Sequence, residues 1–138
     1  MTLKVQLDEG AFLPERAYEH DAGADLRTPK RVVLPPHNYV VIDTGVHVEV
    51  PENCAVHIKS KSGLMVNDGI FTHGLVDYGY SGSIRVALFN FAHGYKIFEV
   101  GDKIAQIEVV SILTPEIEQV DKIEGGERAG RGFGSTGR

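Results

Sequence analysis

Short runs of alternating apolar and polar residues, separated by Gly, Pro, Asn and Asp, recur about every ten residues along most of the chain. Such spacing predicts an all-β sandwich or barrel, and the i, i+3, i+4 recurrence of an amphipathic helix is nearly absent. Residues 2–7 are the first strand candidate, and 10–16 read as a loop broken by Pro14. Residues 31–34 form a short strand closed by Pro35-Pro36-His37-Asn38. The longest alternating segment is 39–50, with Gly45 placed to bend or bulge it. A turn at Pro51-Glu52-Asn53 returns the chain as strand 54–60. One helical turn fits at 62–67, and Asn67-Asp68-Gly69 is a strong turn signal. Residues 83–90 put Ile84, Val86 and Leu88 on one face and Arg85, Ala87 and Phe89 on the other; 95–100 follow the Ala92-His93-Gly94 turn. The run 103–113 is largely apolar, as a strand buried on both faces would be. From Thr114 the pattern stops, charges accumulate through Glu127, and nothing beyond builds a core.

A chain of 138 residues suits one domain: a β body over 1–126 and a Gly-rich arm over 127–138. Hydrophobic content of 42% with 24% charged residues is ordinary for a soluble protein, and no apolar run nears the ~20 residues of a membrane span. The first residues alternate like a strand and lack the apolar core of a signal peptide, which points to the cytoplasm, or a host's cytoplasm for a viral chain. A net charge of −5 weighs against a general nucleic-acid binder and lets a small anionic substrate in only with local cations or a metal. The single cysteine, Cys54, reads as a small buried hydrophobe, and the six histidines show no metal-ligand spacing.

Two stretches carry candidate chemistry. Gly74-Leu75-Val76-Asp77-Tyr78-Gly79-Tyr80-Ser81-Gly82 sets a carboxylate and two aromatic rings among glycines that permit positive φ and close approach of a flat ligand. Asp77 then suits a base and Tyr80 a stacking surface, although the same residues also make ordinary hairpins. The C-terminal run from Arg128 to Arg138 holds Phe133 among glycines, hydroxyls and arginines. It reads equally as a solvated terminus or as a lid whose amides, Gly134, Ser135 and Thr136 cradle phosphate oxygens while Arg128 grips them and Phe133 stacks on a base.

Five separated stretches resemble, in order, the five motifs of the trimeric deoxyuridine triphosphate nucleotidohydrolases, the dUTPases. Ala22-Gly23-Ala24-Asp25-Leu26 is similar to A-G-x-D-L, and Lys61-Ser62-Gly63-Leu64 to R-S-G-L. Gly74 to Gly82 is similar to G-x-I-D-x-D-Y-x-G, and Gly101-Asp102-Lys103-Ile104-Ala105-Gln106 to G-D-R-I-A-Q. Arg128 to Gly137 is close to R-G-x-G-G-F-G-S-T-G, the most specific of the five.

The resemblance implies a distorted jelly-roll, or β-clip, with a flexible Gly-rich arm. It also implies a homotrimer whose active sites are each shared by three subunits, without nucleic-acid or membrane partners. It implies hydrolysis of dUTP to dUMP and pyrophosphate, which limits uracil in DNA and supplies dUMP for thymidylate synthesis. Asp77 would activate the water that attacks the α-phosphorus, a task suited to a carboxylate. Tyr80 would pack on the deoxyribose and exclude a ribose hydroxyl, and the backbone from Gly69 to Asp77, Gly74 included, would read the uracil edge. Lys61, Ser62, Gly63, Gln106 and Arg128 would hold phosphates, Ser135 and Thr136 the terminal one, and Phe133, with Gly134 beside it, would cover the uracil; Asp25 would support the site. Mg2+ would be held mainly through substrate phosphates and water, with no direct protein ligand.

Two departures from the motifs stand out. Gly79 replaces the second acidic residue of the third motif, and Lys61 exchanges a planar guanidinium fork for a point charge. A dCTP deaminase is the nearest rival, but 83–90 lack the glutamate that such enzymes carry on that strand. A nucleotide-binding regulator on the same fold is the rival from another class, set against by retention of Asp77 together with the whole tail.

Overall fold

The computed structural model describes residues 1–137 and is almost entirely β; Arg138, the last residue of the expected arm, lies outside the described residues. Strand β1 (Lys4–Leu7) is followed by β2 (Ala24–Arg27), β3 (Val32–Leu34), β4 (Asn38–Asp43), β5 (Val46–Glu49) and β6 (Cys54–Lys59). One helix, α1 (Ser62–Asp68), then leads to β7 (Ile70–Phe71), β8 (His73–Val76), β9 (Arg85–Asn90), β10 (Lys96–Phe98) and β11 (Lys103–Ser111). The largest sheet has the order β2-β11-β6-β8, a second is β4-β9-β7, and β1-β5 and β3-β10 are two-stranded. All ladders between these strands are antiparallel. Leu26, Leu34, Ile42, Val46, Val56, Val86 and Leu88 are wholly buried, so the sheets enclose one jelly-roll core.

The pattern in β9 shows how sequence sets this packing. Val86 and Leu88 point inward while Arg85 and Phe89 stay exposed, which is the period of two expected for a half-buried strand. Asn90 at its end is buried yet satisfied: its amide donates to the carbonyls of Leu34, Pro35 and Gly94 and its oxygen accepts from the Ala92 amide.

Residues 39–50 form two strands rather than one. Gly45 sits at φ 66° between β4 and β5, and a Cβ there would lie 3.0 Å from that of Ala11, so both conformation and space require glycine. Beside it the buried Thr44 hydroxyl donates to the Ile84 carbonyl at 2.7 Å, which fastens the bend to the entry of β9. The helix is longer than the expected single turn, running seven residues to a left-handed Gly69 whose amide closes onto the Leu64 carbonyl. β11 ends at Ser111, and adjacent residues are buried together only at Ile104 and Ala105; Glu108 to Val110 are partly exposed, because β2 covers only its first half.

Candidate active site

Registry in the largest sheet creates the first half of the site. Asp25 of β2 lies opposite Gln106 of β11, and Gln106 lies opposite Lys59 of β6, so motifs far apart in sequence meet in one row. Lys61, just past β6, and Lys103, at the start of β11, both pair with the Asp25 carboxylate, Lys103 at 2.7 Å. Burial alone would push this carboxyl up; the hydrogen bonds from Lys103 and Lys61, with their charges, outweigh it and hold it below the usual carboxylate value. Gln106 Nε2 donates to the Ser60 carbonyl at 3.1 Å. A Cβ on Gly23 would run into the Gln106 side chain, so glycine in the first motif keeps room for an amide of the fourth. Ser62 and Gly63 open α1 and are exposed beside this cluster. A cleft of about 280 Å³, lined by Gly23, Lys59, Gln106 and Glu108 among others, opens next to it.

Sequence reasoning missed Lys103 and Gly23. The signal for the first was present, since Lys103 stands where the fourth motif carries Arg, as Lys61 does in the second. Both exchanges fall on one carboxylate, and two ammonium groups grip it as point charges where guanidinium forks would compete for the same oxygens. A lowered carboxyl contributes stability above its unfolded pKa and loses it as pH falls through the lower folded value. Asp25→Asn is therefore expected to cost about 2 kcal/mol near neutrality, less than a fully buried pair because both lysines reach solvent. The difference from wild type should shrink as pH drops, as read by urea unfolding followed by circular dichroism. A difference unchanged down to pH ~3 would assign the loss to packing rather than charge.

The second half is the loop after β8. Gly74 does not use the positive φ that glycine permits: it lies within β8 opposite Ile58, and a Cβ would meet Ile58 Cδ1 at 2.9 Å. At Gly82 a Cβ would strike the Tyr80 ring, so these two glycines grant close approach, and of the three only Gly79 has positive φ, at 85°. The Tyr80 amide closes a turn onto the Asp77 carbonyl at 3.2 Å, and the Tyr80 hydroxyl donates to the Ser83 carbonyl at 3.0 Å. Asp77 and Tyr80 are exposed, and they border a cleft of about 230 Å³ with Ile58, Leu75, Ser83 and Arg85. Arg85 is a cation in this cleft that strand alternation alone left on an outer face. A larger hollow of about 630 Å³ lies on the other flank of the loop, against β1 and β5, and does not include Asp77.

The two halves do not meet within one chain. Val56 pairs with Val76 at one end of the β6–β8 ladder and Lys59 with His73 at the other. Asp77 leaves the first end by one step and Lys61-Ser62-Gly63 leave the second by two or more, so along the strands they lie about 20 Å apart at ~3.3 Å per residue. The tail joins neither half: residues 113–137 are exposed, Phe133 fully so, and the backbone hydrogen bonds of Arg128 to Gly137 are local turns. Arg128, Gly134, Ser135 and Thr136 thus stand away from both Asp25 and Asp77.

Residues 9–137 match the family model described as dUTPase. The chain belongs to the dUTPase family. A dUTPase relative from Clostridium tetani, named deoxyuridine 5'-triphosphate nucleotidohydrolase, is 40% identical, with 99% of this chain and 97% of its own covered. The protein of the same name from Yarrowia lipolytica is 39% identical, with 99% and 90% covered. Among solved structures, a Staphylococcus bacteriophage 80alpha dUTPase with dUPNHPP superposes with a TM-score of 0.92 at 32% identity, over 99% of each chain. A mutant dUTPase from phage phi11 of S. aureus, described with a structural Mg(II) ion, superposes with a TM-score of 0.83 at 31% identity, over 91% of this chain and all of its own. In this dUTPase chain the described residues contain no three His, Cys, Asp or Glu side chains placed to hold a metal, and Asp25 is already taken by two lysines. A Mg2+ ion carried on phosphate oxygens and water would need no such protein cage. No helix among the described residues is long and apolar enough to cross a membrane.

Proposed function

We propose that this chain is a dUTP diphosphatase, cleaving dUTP to dUMP and pyrophosphate, in the cytoplasm of its cell or host. The observation that carries the reading is Asp77: an exposed carboxylate, engaged in no ion pair among the described residues, at the mouth of a cleft it shares with Tyr80 and Arg85. Water attacks the α-phosphorus as its proton passes to Asp77; the new O–P bond forms while the bond from the α-phosphorus to the bridging oxygen breaks, and pyrophosphate leaves. Tyr80, held by its hydroxyl to Ser83, packs on the deoxyribose where a 2′-hydroxyl would find no space. The backbone of β8 around Gly74 reads the uracil edge by hydrogen bonds.

The phosphates lie on the other half, against Ser62, Gly63, Gln106 and the Lys61 charge, with Asp25 fixing the lysines and Gln106 steadied by Ser60. Bound Mg2+ would neutralise triphosphate charge that a chain of net charge −5 repels. Because the halves sit at opposite ends of one ladder, a substrate that spans them draws its loop from one subunit and its phosphate cluster from another, which supports a homotrimer with shared sites. The tail of a further subunit then closes the site, Arg128, Ser135 and Thr136 on phosphate and Phe133 with Gly134 on the base.

Pyrophosphate release from dUTP, dCTP, dTTP and UTP, with magnesium and with chelator, tests the reading. Magnesium-dependent turnover of dUTP alone is expected. Tight dUTP binding without turnover would replace the enzyme with a nucleotide sensor.

A further inference from the structure

The loop that carries Tyr80 has a second attachment. His47, on β5, lies between Ser81 and Asp8: Nδ1 is 2.8 Å from the Ser81 carbonyl oxygen and Nε2 is 3.0 Å from Asp8 Oδ1. Both partners are acceptors. A neutral imidazole donates through one nitrogen only and would turn a lone pair towards the other acceptor, whereas an imidazolium donates to both. The surroundings favour the cation as well. The Ser81 hydrogen bond and then the Asp8 hydrogen bond raise the His47 pKa, and the charges of Asp8 and Asp43 add to them. Gln6 faces His47 across the β1–β5 ladder, Lys4 and Glu49 neutralise each other farther along it, and Arg85 lies near Asp43.

The remainder of the loop is fastened by bonds that do not titrate near neutrality. The Ile84 amide donates to the Val46 carbonyl at 2.8 Å, and the Tyr80 hydroxyl holds the Ser83 carbonyl. Ser81, directly after Tyr80, is tied to the body by His47 across the edge of the hollow formed by β1, β5 and residues 78–81.

We propose that His47, as the imidazolium, is a positioning residue for dUTP recognition: by tying Ser81 to Asp8 it holds Tyr80 at the sugar and so sets substrate affinity and deoxyribose preference. The inference rests on the placement of Tyr80 proposed above. A raised histidine pKa makes the tie complete below the ordinary histidine value and removes it as pH rises through the higher folded value.

The test is KM and kcat for dUTP and UTP between pH ~5.5 and ~9.5 in wild type, His47→Gln and Asp8→Asn, with circular dichroism confirming fold. In wild type KM for dUTP should rise about 3–10-fold across the His47 titration, beyond any change in His47→Gln, while kcat moves less than about twofold on the same limb. His47→Gln should show the higher KM already at neutral pH, without that limb, and a several-fold smaller preference for dUTP over UTP. Asp8→Asn, which removes the carboxylate, should shift the limb to lower pH; it decides the matter if His47→Gln does not fold. Superimposable KM profiles in wild type and His47→Gln, or an unmoved limb in Asp8→Asn, would overturn the role of His47. Absence of dUTP turnover in wild type would instead overturn the proposed activity.

Discussion

Asp77→Asn is expected to bind dUTP about as tightly as wild type and to hydrolyse it about 10²–10⁴-fold more slowly, the usual contribution of a positioned proton acceptor. That range corresponds to roughly 3–5 kcal/mol of transition-state stabilisation. Asparagine keeps the shape and one acceptor oxygen but cannot take a proton from water. The folded state should be indifferent to the change, because the Asp77 side chain is exposed and engaged in no ion pair among the described residues, and the turn uses its backbone carbonyl rather than its carboxylate. Calorimetry for binding and pyrophosphate release for turnover separate the two effects. Wild-type turnover in this variant would remove Asp77 from the chemistry, and loss of binding with turnover would point to a misplaced loop.

Truncation after Gly126 should leave melting within about 2 °C of wild type and lower kcat/KM by about 10²–10⁴-fold. The first half follows from burial: none of the removed residues that the structure describes contributes to the core. The second follows from what the tail offers a nucleotide. Stacking by Phe133 contributes about 1–3 kcal/mol, and hydrogen bonds to charged phosphate oxygens from Arg128, Ser135 and Thr136 contribute about 1.5–3 each before the cost of ordering the arm. Phe133→Ala alone should then lose less, about 10–100-fold. A truncated protein that hydrolyses dUTP at the full rate would make the arm a solvated terminus.

The sequence made the strands legible wherever one face is wet. Alternation marked β9 and the 39–50 segment, and Gly45 was correctly singled out as the place where the latter bends. It gave no sign of β2, because Ala24, Asp25 and Leu26 are all buried and nothing alternates. The glycines of the third motif were read as permitting positive φ and close approach of a ligand; Gly79 alone of the three takes positive φ, and Gly74 and Gly82 are required by a neighbouring isoleucine and a tyrosine ring, which only tertiary packing brings near. The first motif singled out Asp25, but the second lysine that pairs with it was not readable, since Lys103 reaches it only through the β2–β11 register. Gly79 at φ 85° shows how glycine is tolerated where the motif carries Asp: that backbone region suits Gly best, with Asn and Asp next. What linear order could not show was that the motifs divide into groups at opposite ends of one ladder.

That division has a direct test. Mixing Asp77→Asn with the chain truncated after Gly126, after denaturation and joint refolding, brings together two proteins that are each nearly inactive. With loop and tail drawn from different subunits, random equimolar trimers rebuild about one site in four with an intact Asp77 and an intact tail. Recovery of about a quarter of wild-type dUTP turnover is the expected result. Activity no higher than that of the two variants refolded separately would contradict a site shared between subunits.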